Sequence, residues 1–293
     1  MPVNSRYLQL DVFPATPGGG NPLGVVLDAE GWSDAEMQRF AAWTDLVETT
    51  FVLPPTTSSA SYRLRIFTPA REIPFAGHPT IGSAHAVLDG GIARASGGQL
   101  IQECAAGLLP IRVEEGAQRR LFVRAPAAHV LREGVGDEPL LRALLDRVRL
   151  GALPPALVEG GRRWWVAEFA DESAVRAWQP DHAAIARLAR ASDGLGLCVF
   201  ARCGNDAYDL VVRAFPAGVG IVEDPASGAA NGLVAAWIAQ REPNGPLARG
   251  YRVSQGREIG RDAALLIRID RADVWVGGET ATVVAGEVRW RPR

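Results

Sequence analysis

Short period-two apolar stretches and runs of helical spacing succeed one another along this chain, and their order repeats once. Residues 7–13, YLQLDVF, alternate as a half-buried strand does. The Gly- and Pro-rich 14–24, PATPGGGNPLG, is a loop, and GVVLDA (24–29) predicts a second strand. Ser33 with Glu36 three residues later makes a capping-box pattern, which predicts a helix to about Trp43. ETTFVL (48–53) and YRLRIFT (62–68) predict strands. Thr80–Leu88 predicts a helix of small residues ended by Gly90-Gly91, and strands are expected near 99–104, 109–114 and 120–124.

The second half runs through the same series. WWVAEF (164–169) predicts a strand, and 181–191 a helix opening at Asp181. LCVFAR (197–202) and DLVVRAF (209–215) predict strands, 228–241 a helix, and 251–254, 263–269 and 273–277 further strands. ATVVAGEVRWRP (281–292) reads as one more strand, a candidate to return to the first domain. A constant offset of 148 sets Phe67 against Phe215 and Ala76 against Asp224 (215 − 67; 224 − 76). Arg39 and Asp45 meet Arg187 and Asp193 at the same offset. The expectation is an α+β chain of two related domains, 1–126 and 127–280, with a ligand in the cleft between them. The halves differ where chemistry would sit. The first carries Glu48 and His78 where the second has Gly196 and Ala226, and the second carries Asp224 instead.

Composition narrows the function classes. A length of 293 residues suffices for two ordinary domains, and 47% apolar with 22% charged residues is globular composition. A net charge of −2 leaves no basic footprint for nucleic acid. No apolar run is long enough for a bilayer, and the opening MPVNSRYLQLDVF lacks a secretory core, so a cytoplasmic protein with small-molecule partners is expected. Cys104, Cys198 and Cys203 show neither disulfide nor zinc spacing, and the histidines show no ligand spacing, so no metal is assigned. All 31 basic residues are arginine. Without a lysine there is no pyridoxal phosphate aldimine and no Schiff-base catalysis. GGGN at 18–21 is not a dinucleotide fingerprint, and a P-loop needs the missing lysine.

Candidate chemistry gathers at two turns of small residues, Gly77-His78-Pro79-Thr80 and Pro225-Ala226-Ser227-Gly228, each leading into a helix. Helix N-termini present unpartnered N–H groups and favour negative charge, so a pair facing one cleft would cradle a carboxylate or developing enolate. Glycine at 77 and 228 would let a ligand approach the backbone. Glu48 opens an apolar strand, where partial burial would raise its pKa toward a working acid–base range. Asp224 precedes Pro225 at a strand–helix turn, and Asn21 sits in the glycine-rich loop. Each also has a plain structural reading: a strand-end Glu, a capping Asp, a packed His, a turn-forming Asn. Glu72 is a second, weaker carboxylate candidate. QGREIGR (255–261) reads as a polar loop between strands.

Taken together, DVFPATPGGGNPLGVVL, VETTFVL, FTPAREIPFAGHPTIGSAH, EDPASGAANG, VSQGREIGR and VWVGG resemble the phenazine-biosynthesis isomerase (PhzF-like) family, which has the diaminopimelate epimerase-like fold. The matches run in order along the chain, with 128–180 matching poorly. The resemblance implies two similar domains, each a sheet wrapped around a central helix, with no cofactor, no metal and a possible homodimer. It implies that Glu48 shuttles a proton between carbons of a cyclic, conjugated amino acid. It further implies that His78 and Asp224 hold and polarise the substrate, and that Gly77 and Gly228 complete the pocket with Asn21, Pro79, Ser227 and Ala229. Racemases of this fold use two cysteines, and their positions here are Ala76 and Asp224. Val47 stands where the family often has serine, and Ala229 where the phenazine enzymes carry serine. The expected function is a cofactor-independent isomerase acting on a small carboxylic or amino acid. The alternatives are an epimerase using Glu48 and Asp224 as opposed bases, and a non-catalytic binder of small carboxylates.

Overall fold

The computed structural model describes residues 3–204 and 206–290; residues 291–292 of the predicted last strand lie outside the described residues. The chain divides into two compact units, 1–124 with 277–293, and 125–276.

The first unit is built on β1 (Val3–Val12), β2 (Asn21–Val26), α1 (Asp34–Thr44), β3 (Thr49–Leu53), β4 (Tyr62–Phe67), β5 (Glu72–Ile73), α2 (Gly77–Asp89), β6 (Gln99–Cys104), β7 (Gly107–Glu114) and β8 (Arg120–Arg124). β1 runs antiparallel to β2, β2 parallel to β3, β3 antiparallel to β4, and β4 parallel to β6. β6, β7 and β8 continue as an antiparallel meander.

The strands wrap α2, which touches β1, β2, β3, β4, β6 and β8. Its sequence, GHPTIGSAHAVLD, offers no polar stripe, and a helix of that kind is stable only when surrounded. Small residues permit the close approach. A Cβ on Gly82 would stand 2.5 Å from Leu23 Cδ2 and 2.9 Å from Val12 Cγ2.

α1 lies outside and does carry a stripe. Met37, Phe40 and Ala41 pack with Val26, Trp32, Phe51 and Phe67. The capping box is formed: Glu36 N donates to Ser33 Oγ, and Ser33 N donates to Glu36 Oε2 at 2.9 Å.

The second unit comprises β9 (His129–Glu133), α3 (Pro139–Leu145), β10 (Ala156–Gly160), β11 (Arg162–Glu168), α4 (Glu172–Ala177), α5 (His182–Ala191), β12 (Gly196–Arg202), β13 (Leu210–Phe215), α6 (Gly228–Arg241), β14 (Gly250–Gln255), β15 (Ala263–Asp270) and all but the last two residues of β16 (Asp273–Gly278). The pairing order recurs. β10 is antiparallel to β11, β11 parallel to β12, β12 antiparallel to β13, β13 parallel to β14, and β14 antiparallel to β15. α6 takes the enclosed place, with Ala230 through Ala235, Trp237 and Ile238 buried. β17 (Thr280–Trp290) pairs with β1 in the first unit.

The repeat survives in detail. β4 and β13 occupy residues 62–67 and 210–215, the 148 offset without a slip. Ser33 and Asp181 cap α1 and α5 with their side chains. Beyond those helices Asp45 and Asp193 both turn left-handed, at φ 54° and 48°, a conformation that short polar Asp side chains tolerate.

One boundary differs in a way that matters. α2 begins at Gly77, not Thr80, so Gly77, His78 and Pro79 form its first turn. Proline fits there because an N–H in the first turn has no intrahelical acceptor to lose.

Candidate functional site

In the first unit three side chains from separate elements converge. A tight turn delivers Asn21 to the start of β2. Gly18 has φ 80° and its N–H donates to Asp11 Oδ2 at 2.7 Å, while a Cβ on Gly20 would overlap Val12 O at 2.2 Å. Asn21 is thereby buried, and its Nδ2 lies 3.3 Å from Nδ1 of His78. His78 points inward because it sits in the first turn of the enclosed helix. Its Nε2 lies 3.3 Å from Oε2 of Glu48, the residue between the left-handed Asp45 and the start of β3. Both side chains are about nine-tenths buried, at 7% and 11% exposure.

Burial pushes the His78 pKa down to about 3, so the ring is neutral at ordinary pH. With Asn21 Nδ2 donating to Nδ1, the ring proton belongs on Nε2, the atom facing Glu48. The arrangement therefore couples a buried carboxyl to a neutral, oriented imidazole, a layout suited to proton transfer at a small ligand. Pro79 is buried beside His78, and Thr80 is held by Gln102, whose Nε2 donates to Thr80 Oγ1 at 3.1 Å.

Asp224 and its neighbours form a second constellation, in the second unit. Asp224 N donates to Ala214 O at 2.9 Å, tying the turn to β13. Ala226 N donates to Asp224 Oδ1 at 3.1 Å, an Asx turn that orients the carboxylate. Ser227 is the N-cap of α6, accepting from Ala230 N, with Gly228 and Ala229 in the first turn. Helix geometry leaves the Gly228 and Ala229 N–H groups without intrahelical acceptors. Asn21, Glu48, His78, Gly77 and Pro79 thus share one unit, and Asp224, Ser227, Gly228 and Ala229 the other.

Glu72 is removed from the catalytic candidates. Its two oxygens accept from Arg65 Nε and Nη2 at 2.8 and 2.7 Å, a bidentate brace across β4 and β5. Two thiols are poor acids: burial pushes Cys198 far above its ordinary pKa and Cys203 up to about 12. Among the described residues no cluster of three or more His, Cys, Asp or Glu is placed to hold a metal. Nor is any helix long and apolar enough to cross a membrane.

Sequence reasoning missed Gln255 and Asn231. Gln255 has the sequence setting of a polar loop, yet its side chain is fully buried against the Asp224 turn. Asn231 could have been noticed as a polar residue one turn beyond Ser227 on an enclosed helix, where every amide needs a partner.

The profile of the family described as Phenazine biosynthesis-like protein (PhzC-PhzF) matches residues 10–286. Antisense-enhancing sequence 1 of Schizosaccharomyces pombe is 32% identical over 291 residues, covering 96% of this chain and 97% of that protein. The trans-2,3-dihydro-3-hydroxyanthranilate isomerase of Pseudomonas aeruginosa is 32% identical over 267 residues, covering 91% of each. The crystal structure of a PhzF-family phenazine biosynthesis protein from Bacillus anthracis superposes with a TM-score of 0.83 at 24% identity, over 98% of this chain and 99% of that one. Matched over nearly its whole length by the family profile and by a named isomerase, the chain belongs to the phenazine biosynthesis-like (PhzC-PhzF) family and is an enzyme of the isomerase class.

Proposed function

We propose that this isomerase moves a proton between carbons of a small cyclic or unsaturated amino or carboxylic acid, with Glu48 as the shuttling group and no cofactor. The observation that carries the reading is the buried set Glu48, His78 and Asn21, with the neutral ring of His78 3.3 Å from the Glu48 carboxyl. In the first half-reaction a Glu48 oxygen takes a proton from a carbon. The C–H electron pair moves into the conjugated system. In the second half-reaction the protonated carboxyl returns the proton to another carbon and the double bond shifts. His78, kept neutral, donates from Nε2 to an oxygen of the substrate or to Glu48 without presenting a competing charge. Asp224 binds a polar substituent of the substrate, and the first-turn N–H groups of α6, at Gly228 and Ala229, receive its anionic group. A homodimer belongs to the same reading, and light scattering tests it.

The experiment is turnover in D₂O with trans-2,3-dihydro-3-hydroxyanthranilate, the compound in the relative's name. Deuterium enters the newly protonated carbon where the protonated Glu48 exchanges with D₂O before the return, and the original hydrogen is carried across where it does not; Glu48→Gln should lose about 10²–10⁴-fold in turnover, the usual worth of general acid–base catalysis. A Glu48→Gln variant with full turnover sinks the proposal. Inversion at one carbon without a double-bond shift would favour the epimerase alternative.

A further inference from the structure

The Asp224 turn has no long side chain of its own to hold it, and a proline at 225 removes one backbone donor. From outside the turn, Ala214 O accepts from Asp224 N, and the side chains of Gln255 and Asn231 bind its carbonyls. Gln255, the last residue of β14, has no exposed surface. Its Nε2 donates to Asp224 O at 2.7 Å. Its Oε1 accepts from Ser227 N at 3.3 Å and from Asn231 Nδ2 at 2.8 Å. The Asn231 amide also donates to Ser227 O at 2.9 Å. One side chain thus brackets the turn at both ends, before Pro225 and after Ala226.

The backbone around it is built for that close approach. Gly256 is left-handed at φ 95°, and a Cβ there would stand 2.8 Å from Pro225 O. Gln255 itself is fixed by parallel pairing opposite Val212 on β13, the strand whose Ala214 binds Asp224 N.

We propose that Gln255 is a positioning residue for substrate binding: its amide sets the pose of the Asp224 carboxylate and of the α6 N-terminus by clamping Asp224 O and Ser227 N together. The inference rests on the proposed role of Asp224 in the isomerase reaction and extends it to a residue outside the turn. Leucine in place of Gln255 keeps the volume but deletes donor and acceptor. Glutamate keeps the acceptor, and only its protonated form restores the donor to Asp224 O. Charged groups around the site include Asp224 on the turn, Arg261 beside Gly256, and the Arg176–Glu258 pair beside Ser254.

The test compares wild type, Gln255→Leu and Gln255→Glu by amide hydrogen exchange and by turnover of trans-2,3-dihydro-3-hydroxyanthranilate, with thermal unfolding as the check on folding. In folded Gln255→Leu, protection at Ser227 and Ala226 should fall about tenfold to a hundredfold relative to amides of β12, the scale of one buried hydrogen bond lost. KM should rise by a similar factor with a smaller change in kcat. In Gln255→Glu the protection and KM should recover as pH falls from 8 to 5, a pH profile absent from wild type and from the leucine variant. Unchanged protection at Ser227 in folded Gln255→Leu overturns the proposal, as does a Gln255→Glu variant whose protection is the same at every pH. If Gln255→Leu does not fold, the glutamate variant decides alone. If the wild type is inert toward the probe, the functional reading fails while the exchange result still decides whether Gln255 is the clamp.

Discussion

Two Arg–Glu forks at equivalent places allow burial and distance to be separated as sources of stability. Arg65 and Arg213 stand 148 residues apart on β4 and β13. Each grips a glutamate in the segment leading to the enclosed helix, and each lies 5.1 Å over a phenylalanine ring, Phe67 or Phe215. The Arg65–Glu72 contacts are the shorter, at 2.8 and 2.7 Å against 2.9 and 2.9 Å for Arg213–Glu223. Burial runs the other way: 23% and 37% exposure for Arg65 and Glu72, 6% and 3% for Arg213 and Glu223. In Glu72→Gln the guanidinium keeps Asp34 and water, so the loss should be about 0.2–1 kcal/mol. In Glu223→Gln the guanidinium keeps, among the described residues, the neutral carbonyls of Val175 and Trp178, and stays buried. That should cost about 3–5 kcal/mol, or a fall in melting temperature of roughly 6–20 °C. Replacing both partners, as Arg213→Met with Glu223→Leu, should recover most of the loss because no buried charge is stranded. Urea unfolding followed by circular dichroism gives all three values. Equal costs for the two Gln variants, or a double variant no better than Glu223→Gln, would refute the burial argument.

Three further outcomes are expected. The His78 pKa of about 3 lies below its unfolded value near 6.5, so the unfolded chain takes up the proton first and stability falls as pH drops from about 6.5 toward 3. His78→Gln should flatten that limb, which has a slope of up to about 1.4 kcal/mol per pH unit; parallel profiles in urea titrations from pH 4 to 8 would contradict it. Gly82→Ala should destabilise by about 1–3 kcal/mol, since the added methyl meets Leu23 and Val12 inside a packed ring of strands; an unchanged melting temperature would show that α2 can shift. Ser33→Ala and Asp181→Ala should each cost about 1 kcal/mol as lost N-caps at equivalent positions, and a neutral result at either would mean the cap is replaced by water.

The regular core was legible because burial there leaves a pattern. β4, α1 and α6 fall where alternation, the Ser33–Glu36 box and the Ala-rich run put them. α2 starts earlier than its sequence suggests because Gly77 and Pro79 read as turn residues, while the first helical turn accepts both. β9, β10, α3 and α4 were not foreseen. β9 is largely exposed and carries no apolar face, and α3 and α4 are too short for a period to show. Glu48, His78 and Asn21 could be named from sequence, yet their meeting could not, because 57 positions separate Asn21 from His78. Gln255 was invisible for a different reason: a glutamine beside glycine and arginine has the composition of a surface loop, and only the fold turns it inward.

What the halves share and what they do not share follow different logic. The Ser33 and Asp181 caps, the left-handed Asp45 and Asp193, and the Arg65 and Arg213 forks all recur, and all serve the scaffold. The differences gather at the entry to the enclosed helix, where Ala76, His78, Thr80 and Ser83 correspond in sequence, at the 148 offset, to Asp224, Ala226, Gly228 and Asn231. A two-base racemase needs an acid at both Ala76 and Asp224, and alanine supplies none. The first half instead places its carboxyl outside the helix, at Glu48, against the histidine. The second half spends its polar side chains, Asn231 and Gln255, on fixing backbone. Such asymmetry suits a reaction in which one carboxyl both removes and returns the proton, which is why the proposed chemistry is isomerisation and not inversion.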